Sequence, residues 1–183
     1  MATAASYLAI INRFNAGTRE IQWYFDQLPV LVTNHPYEVA IAYMFLRAEK
    51  AQNQALYCGV VKLHRADSTV ADAAVNTQYL TRDGFLALYK NVFGQALSAA
   101  TAAKIKDAEK IRDRVVHGKS VPQRDLRQAI IEVIEYAESM NSDINAIAGF
   151  QPFGDLRGFK GRAQGLQKPT TRWLLKGLGF AIA

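Results

Sequence analysis

The sequence has one cysteine, few histidines and no long apolar run, and each shortage removes a class of protein. Because Cys58 is the only cysteine among 183 residues, neither an intrachain disulfide nor a cysteine-based zinc site can form. The three histidines lie far apart without an acidic cluster, so no metal or other cofactor is expected. No segment reaches the roughly 18 apolar residues of a membrane span, and the first residues lack a secretion signal. We therefore expect a cytoplasmic protein without a membrane segment.

The sequence also lacks the alternation of apolar and polar residues that half-buried β-strands require. Apolar residues instead recur at steps of three and four, which is the spacing of a buried helix face. The most regular stripe follows Pro122 and ends before Gly149; it consists of Leu126, Ile130, Val133, Ala137, Met140, Ile144 and Ile147. This pattern predicts an all-α, single-domain bundle of about five helices over residues 1–148.

Two long helices are predicted in the first third of the chain. The first is expected over residues 7–28, with Gly17 as its weak point and Pro29 as its end. Asn34 is the expected N-cap of the second helix, and Pro36 lies in its first turn. Residues 67–97 carry two cap signals, Ser68 and Thr81, and glycines at 84 and 94, which predict one or two shorter helices. Gly118 is the expected end of the helix that follows.

The C-terminal segment, residues 149–183, differs in charge and composition. The chain carries a net charge of +6: residues 1–148 hold 16 Lys/Arg against 15 Asp/Glu, whereas residues 149–183 hold six against one. The segment contains seven of the 12 glycines and five large aromatic residues: Phe150, Phe153, Phe159, Trp173 and Phe180. These aromatics either fix an irregular basic tail to the bundle, or stack on bases while the cations bind phosphates. Both hold if the aromatics face inwards and the cations outwards.

The stretch IRDRVVHGK, residues 111–119, carries the candidate chemistry. Asp113 and His117 are four positions apart, so on a helix they share a face and Asp113 can orient the imidazole ring. A histidine can take the proton from a ribose 2′-hydroxyl, and Arg112 can stabilise charge on the phosphate. One histidine does not easily also protonate the leaving oxygen, but two copies across a two-fold axis would supply both groups.

Structural roles for the same residues stand beside this chemistry. Arg112 could pair with Glu109 one turn earlier, and Arg114 could belong to a solvated face. His117 could be a helix C-terminal histidine whose positive form suits the helix dipole. Cys58 is expected to be a small core residue.

Arg112 and His117, with four residues between them and the polar Asp113 after the arginine, resemble the R-x4-6-H motif of HEPN domains. The resemblance implies a helical bundle that pairs as a homodimer, and a metal-independent endoribonuclease of a toxin-antitoxin or antiviral system. Arg112 and His117 match the catalytic pair, and Asp113 matches the polar position. Members silenced by a nucleotidyltransferase antitoxin tend to carry Tyr two residues after the histidine; here Lys119 puts that pairing in doubt.

The predicted function is therefore metal-independent RNA cleavage, with RNA, a second copy and an antitoxin as expected partners. RNA-binding roles are expected for five cations: Arg114, Lys119, Arg157, Lys160 and Arg162. The alternatives are a non-catalytic HEPN-like bundle that binds RNA or a nucleotide, and a bundle that only binds protein partners. Salt-sensitive RNA binding without cleavage would indicate the RNA-binding bundle. A protein that neither binds RNA in this way nor cleaves it would be the protein-binding bundle.

Overall fold

A computed structural model describes residues 6–78, 80–161 and 164–182. Within these ranges the chain forms helices joined by turns and loops, and no strand is present, so the all-α prediction is confirmed. The described helices are α1 (Tyr7–Asn15), α2 (Arg19–Tyr24), α3 (Leu28–Asn34), α4 (Tyr37–Leu63), α5 (Ser68–Asn76), α6 (Arg82–Phe93), α7 (Ala99–Val116), α8 (Gln123–Ala148) and α9 (Lys168–Gly177). The expectation of about five helices is thus too low.

The residues cluster into two compact units. Unit 1 comprises the chain up to Lys50, Ser98–Ser142 and Phe153–Asp155; unit 2 comprises Ala51–Leu97, Asp143–Pro152 and the chain from Leu156 onward. The long helices α4 and α8 contribute residues to both units. The unit boundaries do not coincide with the predicted division at residue 148, which stays a prediction.

The single helix predicted over residues 7–28 is wrong, because the chain turns twice there. Gly17 lies in the first turn, and Thr18 is the N-cap of α2, with its hydroxyl accepting from the Ile21 N–H. The Gln22 amide donates to the carbonyls of Asn15 and Gly17, which satisfies backbone groups that a continuous helix would have paired. Pro29 lies in the first turn of α3, where its missing N–H costs nothing.

The N-cap predicted at Asn34 is also wrong, since Asn34 is the last residue of α3. His35 follows it with φ −131° and ψ 161°, the extended conformation that a residue before proline prefers. The chain therefore leaves one helix at His35 and enters α4 after Pro36 without an asparagine cap.

The later helix predictions agree better with the structure. Six residues of the α8 stripe are buried, and only Ile147 is half-exposed. Thr81 caps α6 through a 3.1 Å bond from the Gly84 N–H, while α5 is capped by Asp67 rather than by Ser68. Gly118 and Gly149 follow α7 and α8 with φ of +66° each, the left-handed conformation that glycine adopts readily.

An aromatic cluster forms the core of unit 1. The ring of Phe153 lies 5.3 Å from Tyr24, 5.9 Å from Phe25 and 6.0 Å from Tyr136, measured between ring centroids. The buried amide of Asn141 in α8 accepts from the Phe153 N–H and donates to its carbonyl. This pairing satisfies buried backbone groups of the C-terminal segment where it crosses unit 1.

In unit 2, residues of the C-terminal segment pack on α4 and α6. Phe150 is buried, with ring centroids 6.4 Å from Phe93 and 5.6 Å from Phe159. The loop that follows α4 also holds the segment, since the carbonyl of Arg65 accepts from the Leu166 N–H at 2.7 Å. The prediction of an irregular tail is therefore wrong for part of the segment, where α9 forms.

Four of its five aromatic residues are buried or half-buried, namely Phe150, Phe153, Phe159 and Phe180, and Trp173 is exposed. Within the described ranges, no helix combines the length and apolar character needed to cross a membrane.

Candidate active site

The end of α7 carries the predicted catalytic residues. His117 is the C-cap, and the chain then reverses through hydrogen bonds from Gly118 N to the Val115 carbonyl at 2.9 Å and from Lys119 N to the Arg114 carbonyl at 2.9 Å. These two bonds define a Schellman motif, in which Gly118 supplies the positive φ. The positive φ, and not a lack of space, explains why glycine follows the histidine, because no atom lies within 4 Å of a Cβ at this position.

The guanidinium of Arg112 is held on three sides within unit 1. Its Nη1 donates to Glu49 Oε1 at 2.9 Å, and its Nε donates to Asp113 Oδ1 at 2.9 Å. Its Cζ lies 4.9 Å from the ring centroid of Phe45, which is within the range of a cation–π contact. The side chain is 29% exposed, and its Nη2 makes no hydrogen bond to a described residue.

The predicted hydrogen bond between Asp113 and His117 is not formed. Asp113 Oδ1 instead accepts from the neighbouring Arg112, so the carboxylate orients the arginine. The prediction used the helix spacing of four residues, which places two side chains on one face but does not decide which donor the carboxylate takes. The adjacent arginine competes successfully because a charge-assisted bond to guanidinium is strong.

His117 itself is exposed at the end of α7. Its backbone N–H donates to the Asp113 carbonyl at 3.0 Å, and its ring makes no hydrogen bond or ion pair to a described residue. Val116, immediately before it, is 69% exposed. The imidazole is thus free to meet a substrate or another chain.

Two further predicted RNA contacts lie beside His117. Arg114 is exposed and donates from Nη2 to the Ser120 carbonyl at 2.7 Å, which braces the turn that follows Gly118. Lys119 is exposed and has no side-chain partner among the described residues. Both cations belong to unit 1, together with Arg112 and His117.

Two of the remaining predicted contacts, Arg157 and Lys160, belong to unit 2. Arg157 and Lys160 are exposed in the loop before α9. Arg162 lies outside the described residues, so its predicted role is left as a prediction. Neither Arg157 nor Lys160 belongs to the unit that carries the motif.

Sequence reasoning missed both partners of Arg112 on α4. Glu49 and Phe45 lie more than 60 positions before Arg112, and no local spacing connects them with it. The Glu109 pairing weighed for Arg112 is replaced by Glu49 and Asp113. Only the packing of α7 against the first half of α4 could have identified them.

Groups that could bind a metal or react as nucleophiles are limited in the part of the chain that the structure describes. No three His, Cys, Asp or Glu side chains are grouped there as a metal site needs. Burial raises the pKa of the Cys58 thiol to about 12, so the thiol stays protonated at neutral pH.

Comparisons of the chain with protein-family models, with curated proteins and with solved structures found no match.

Proposed function

We propose that the chain is a metal-independent, HEPN-type endoribonuclease that acts as a cytoplasmic homodimer in a toxin or antiviral system. One observation carries the proposal. The ring of His117 is exposed and has no hydrogen bond to a described residue, while the side chain of Arg112, five positions before it, is held in one orientation by hydrogen bonds. A free imidazole can take or give a proton, and an oriented guanidinium can stabilise phosphate charge; cleavage of RNA by its own 2′-hydroxyl uses both kinds of group.

The proposed reaction is an in-line displacement at phosphorus. One His117 takes the proton of the 2′-hydroxyl, whose oxygen bonds to phosphorus while the bond from phosphorus to the 5′ oxygen breaks. The departing oxygen needs a proton, and the His117 of a second copy supplies it. Arg112 stabilises the charge on the phosphate through Nη2, the nitrogen that has no hydrogen bond to a described residue. The products are a 2′,3′-cyclic phosphate and a 5′-hydroxyl.

Exposed apolar side chains near the motif support pairing of two copies. Val116 on α7 is 69% exposed, and Leu46 on α4 is 67% exposed next to Phe45, the ring that Arg112 contacts. Contact with a second copy would remove both from water and bring two motifs together.

A second candidate, a non-catalytic RNA-binding protein, is favoured by the two carboxylates on Arg112. The carboxylates of Glu49 and Asp113 each place a full negative charge next to the guanidinium, and these charges weaken its attraction for a phosphate. In that case the exposed Lys119 and Arg114 would bind RNA without cleavage, and affinity would fall steeply with salt.

The first proposal is tested by incubating the full chain with end-labelled RNA in excess EDTA and analysing the new ends. We expect 2′,3′-cyclic phosphate products, and a loss of at least about 100-fold in rate for His117→Ala, the typical contribution of general acid–base catalysis. Arg112→Ala should cause a comparable loss, because the remaining cations are not held by the same partners.

His35→Ala is the matched control, since His35 is also an exposed histidine at a helix C-cap. It should retain full activity. Undiminished cleavage by His117→Ala would refute the mechanism, and intact RNA with salt-sensitive binding would select the second candidate.

A further inference from the structure

The exposed surface of α9 carries a row of cations. Lys168, Arg172 and Lys176 follow each other at steps of four residues, about 6 Å apart along the helix axis. All three side chains are exposed, and none makes a hydrogen bond or ion pair to a described residue. From Leu156 to Ile182 the sequence contains no Asp or Glu, so no acid of this segment neutralises the row.

Trp173 extends from the same helix into solvent. It is 80% exposed, whereas Thr171 and Leu175, two positions before and after it, are fully buried. The Thr171 hydroxyl accepts from the Asp67 N–H at 3.0 Å, which fixes α9 against the start of α5. Because two positions correspond to about 200° around a helix, this docking directs Trp173 outwards.

A groove between α5 and α9 lies next to the cation row. Its volume is about 280 Å³; Lys168 and Arg172 line one side, Thr69 and Thr77 the other, and Val70 contributes apolar surface. No carboxylate is among the lining residues. Two cations, hydroxyl groups and an apolar surface suit a ligand that carries both a negative charge and a flat apolar part.

We propose that this α9 surface, defined by the exposed Lys168, Arg172, Trp173 and Lys176 with the adjoining groove, binds a single-stranded nucleic acid. The three cations contact successive phosphates, one base stacks on Trp173, and the groove receives a neighbouring nucleotide. Sequence-tolerant binding of this kind combines a cationic track with an exposed aromatic ring. That the strand is RNA rests on the proposed function; the binding of a single strand does not.

Two rival surfaces for α9 fit less well. An anionic membrane is bound by a helix with a whole apolar face, but in α9 Leu175 is buried and Leu174 half-buried. Within α9, Trp173 is therefore the only large apolar side chain that points outwards. A duplex keeps its bases stacked on each other, so it offers no base face to Trp173.

The experiment measures fluorescence anisotropy of a labelled oligouridine with the full chain carrying His117→Ala, which keeps the probe intact. We expect Trp173→Ala to weaken binding about 10-fold and Trp173→Phe to restore most of it, as loss and return of one stacking contact predict. Replacing Lys168, Arg172 and Lys176 together by Ala should make the slope of log affinity against log salt shallower by about 2.

The matched control replaces three other exposed cations, Arg19, Lys90 and Lys106, by Ala and leaves the slope unchanged. The proposal would be overturned if both triple variants made the salt slope shallower by the same amount. It would also be overturned if Trp173→Ala left the affinity for the oligouridine unchanged. So would binding to phosphatidylserine vesicles without binding to the oligouridine. This experiment measures affinity and not cleavage. Binding that depends on α9, in a protein that does not cleave RNA, would refute only the proposed function. Cleavage by a protein whose RNA binding does not depend on α9 would refute only the role of α9.

Discussion

At the scale of single residues, the contacts of Arg112 bear most directly on the proposed function. Three contacts from Glu49, Asp113 and Phe45 fix its orientation, so under the proposed function little rotamer freedom would be lost on binding a phosphate. The same two carboxylates would compete with that phosphate for the guanidinium. The arrangement therefore favours orientation of the guanidinium over affinity for an anion.

Glu132 on α8 is a residue whose charge opposes folding. Burial raises its pKa from the ordinary value of 4.5, and the nearby Asp107 and Glu135 raise it further, against a lowering hydrogen bond from Gln128. Between 4.5 and the raised value, the folded state binds more protons than the unfolded chain, so stability falls as pH rises through this window.

Glu132→Gln should therefore increase the free energy of unfolding at pH 7, because the variant avoids burying a charge. The difference from the wild type should disappear below about pH 4, where the carboxyl is protonated in both states. Urea denaturation followed by circular dichroism at several pH values measures this. A variant that is less stable at pH 7, or a difference that does not depend on pH, would contradict the cause given for the pKa.

At the scale of helices, the sequence predicts some of the ends that depend on local chemistry, although the caps expected at Asn34 and Ser68 are wrong. Thr81, Gly118 and Gly149 are identified correctly because a cap hydroxyl or a left-handed glycine acts within a few residues. The break at Gly17 is not predicted, although Thr18 caps α2 through an equally local bond. The Gln22 amide also donates to the Asn15 carbonyl, seven positions earlier, which is a contact that no cap rule predicts.

Gly59 shows what helix periodicity cannot predict about packing. A Cβ at this position in α4 would lie 2.6 Å from Val92 Cγ1 and 2.9 Å from Phe93 Cζ, both on α6. These side chains are buried and cannot move away freely. The helix–helix distance in unit 2 therefore depends on the absence of a side chain at Gly59.

Gly59→Ala should lower the free energy of unfolding by about 1–3 kcal/mol through overpacking, although alanine is the better helix former by about 1 kcal/mol. Gly177→Ala is the control, because this helical glycine has no atom within 4 Å of a Cβ. The control should not lose stability in urea denaturation. A Gly59→Ala protein as stable as the wild type would show that α6 moves without cost.

At the scale of the whole molecule, the sequence predicts the helical class and the position of the motif, but not the surroundings of the motif. The residues of the Arg112 site come from α4 and α7, which are joined only through tertiary packing. Likewise, Lys168, Arg172 and Lys176 are evenly spaced in the sequence, but the exposure of Trp173 depends on docking by Thr171 and Leu175. Sequence spacing predicts faces, and packing decides which face stays open.

The last prediction concerns the number of chains in one active site. If each site uses His117 from two copies, then a wild-type chain paired with a His117→Ala chain is inactive. When the two proteins are refolded together in equal amounts, activity should fall to about one quarter of that of the same total amount of wild-type chain, the share of wild-type pairs. A site complete within one chain would leave about one half. Refolding the wild type with His35→Ala should leave activity unchanged, and light scattering should give the mass of a dimer for each mixture. Activity proportional to the wild-type fraction would refute the shared site.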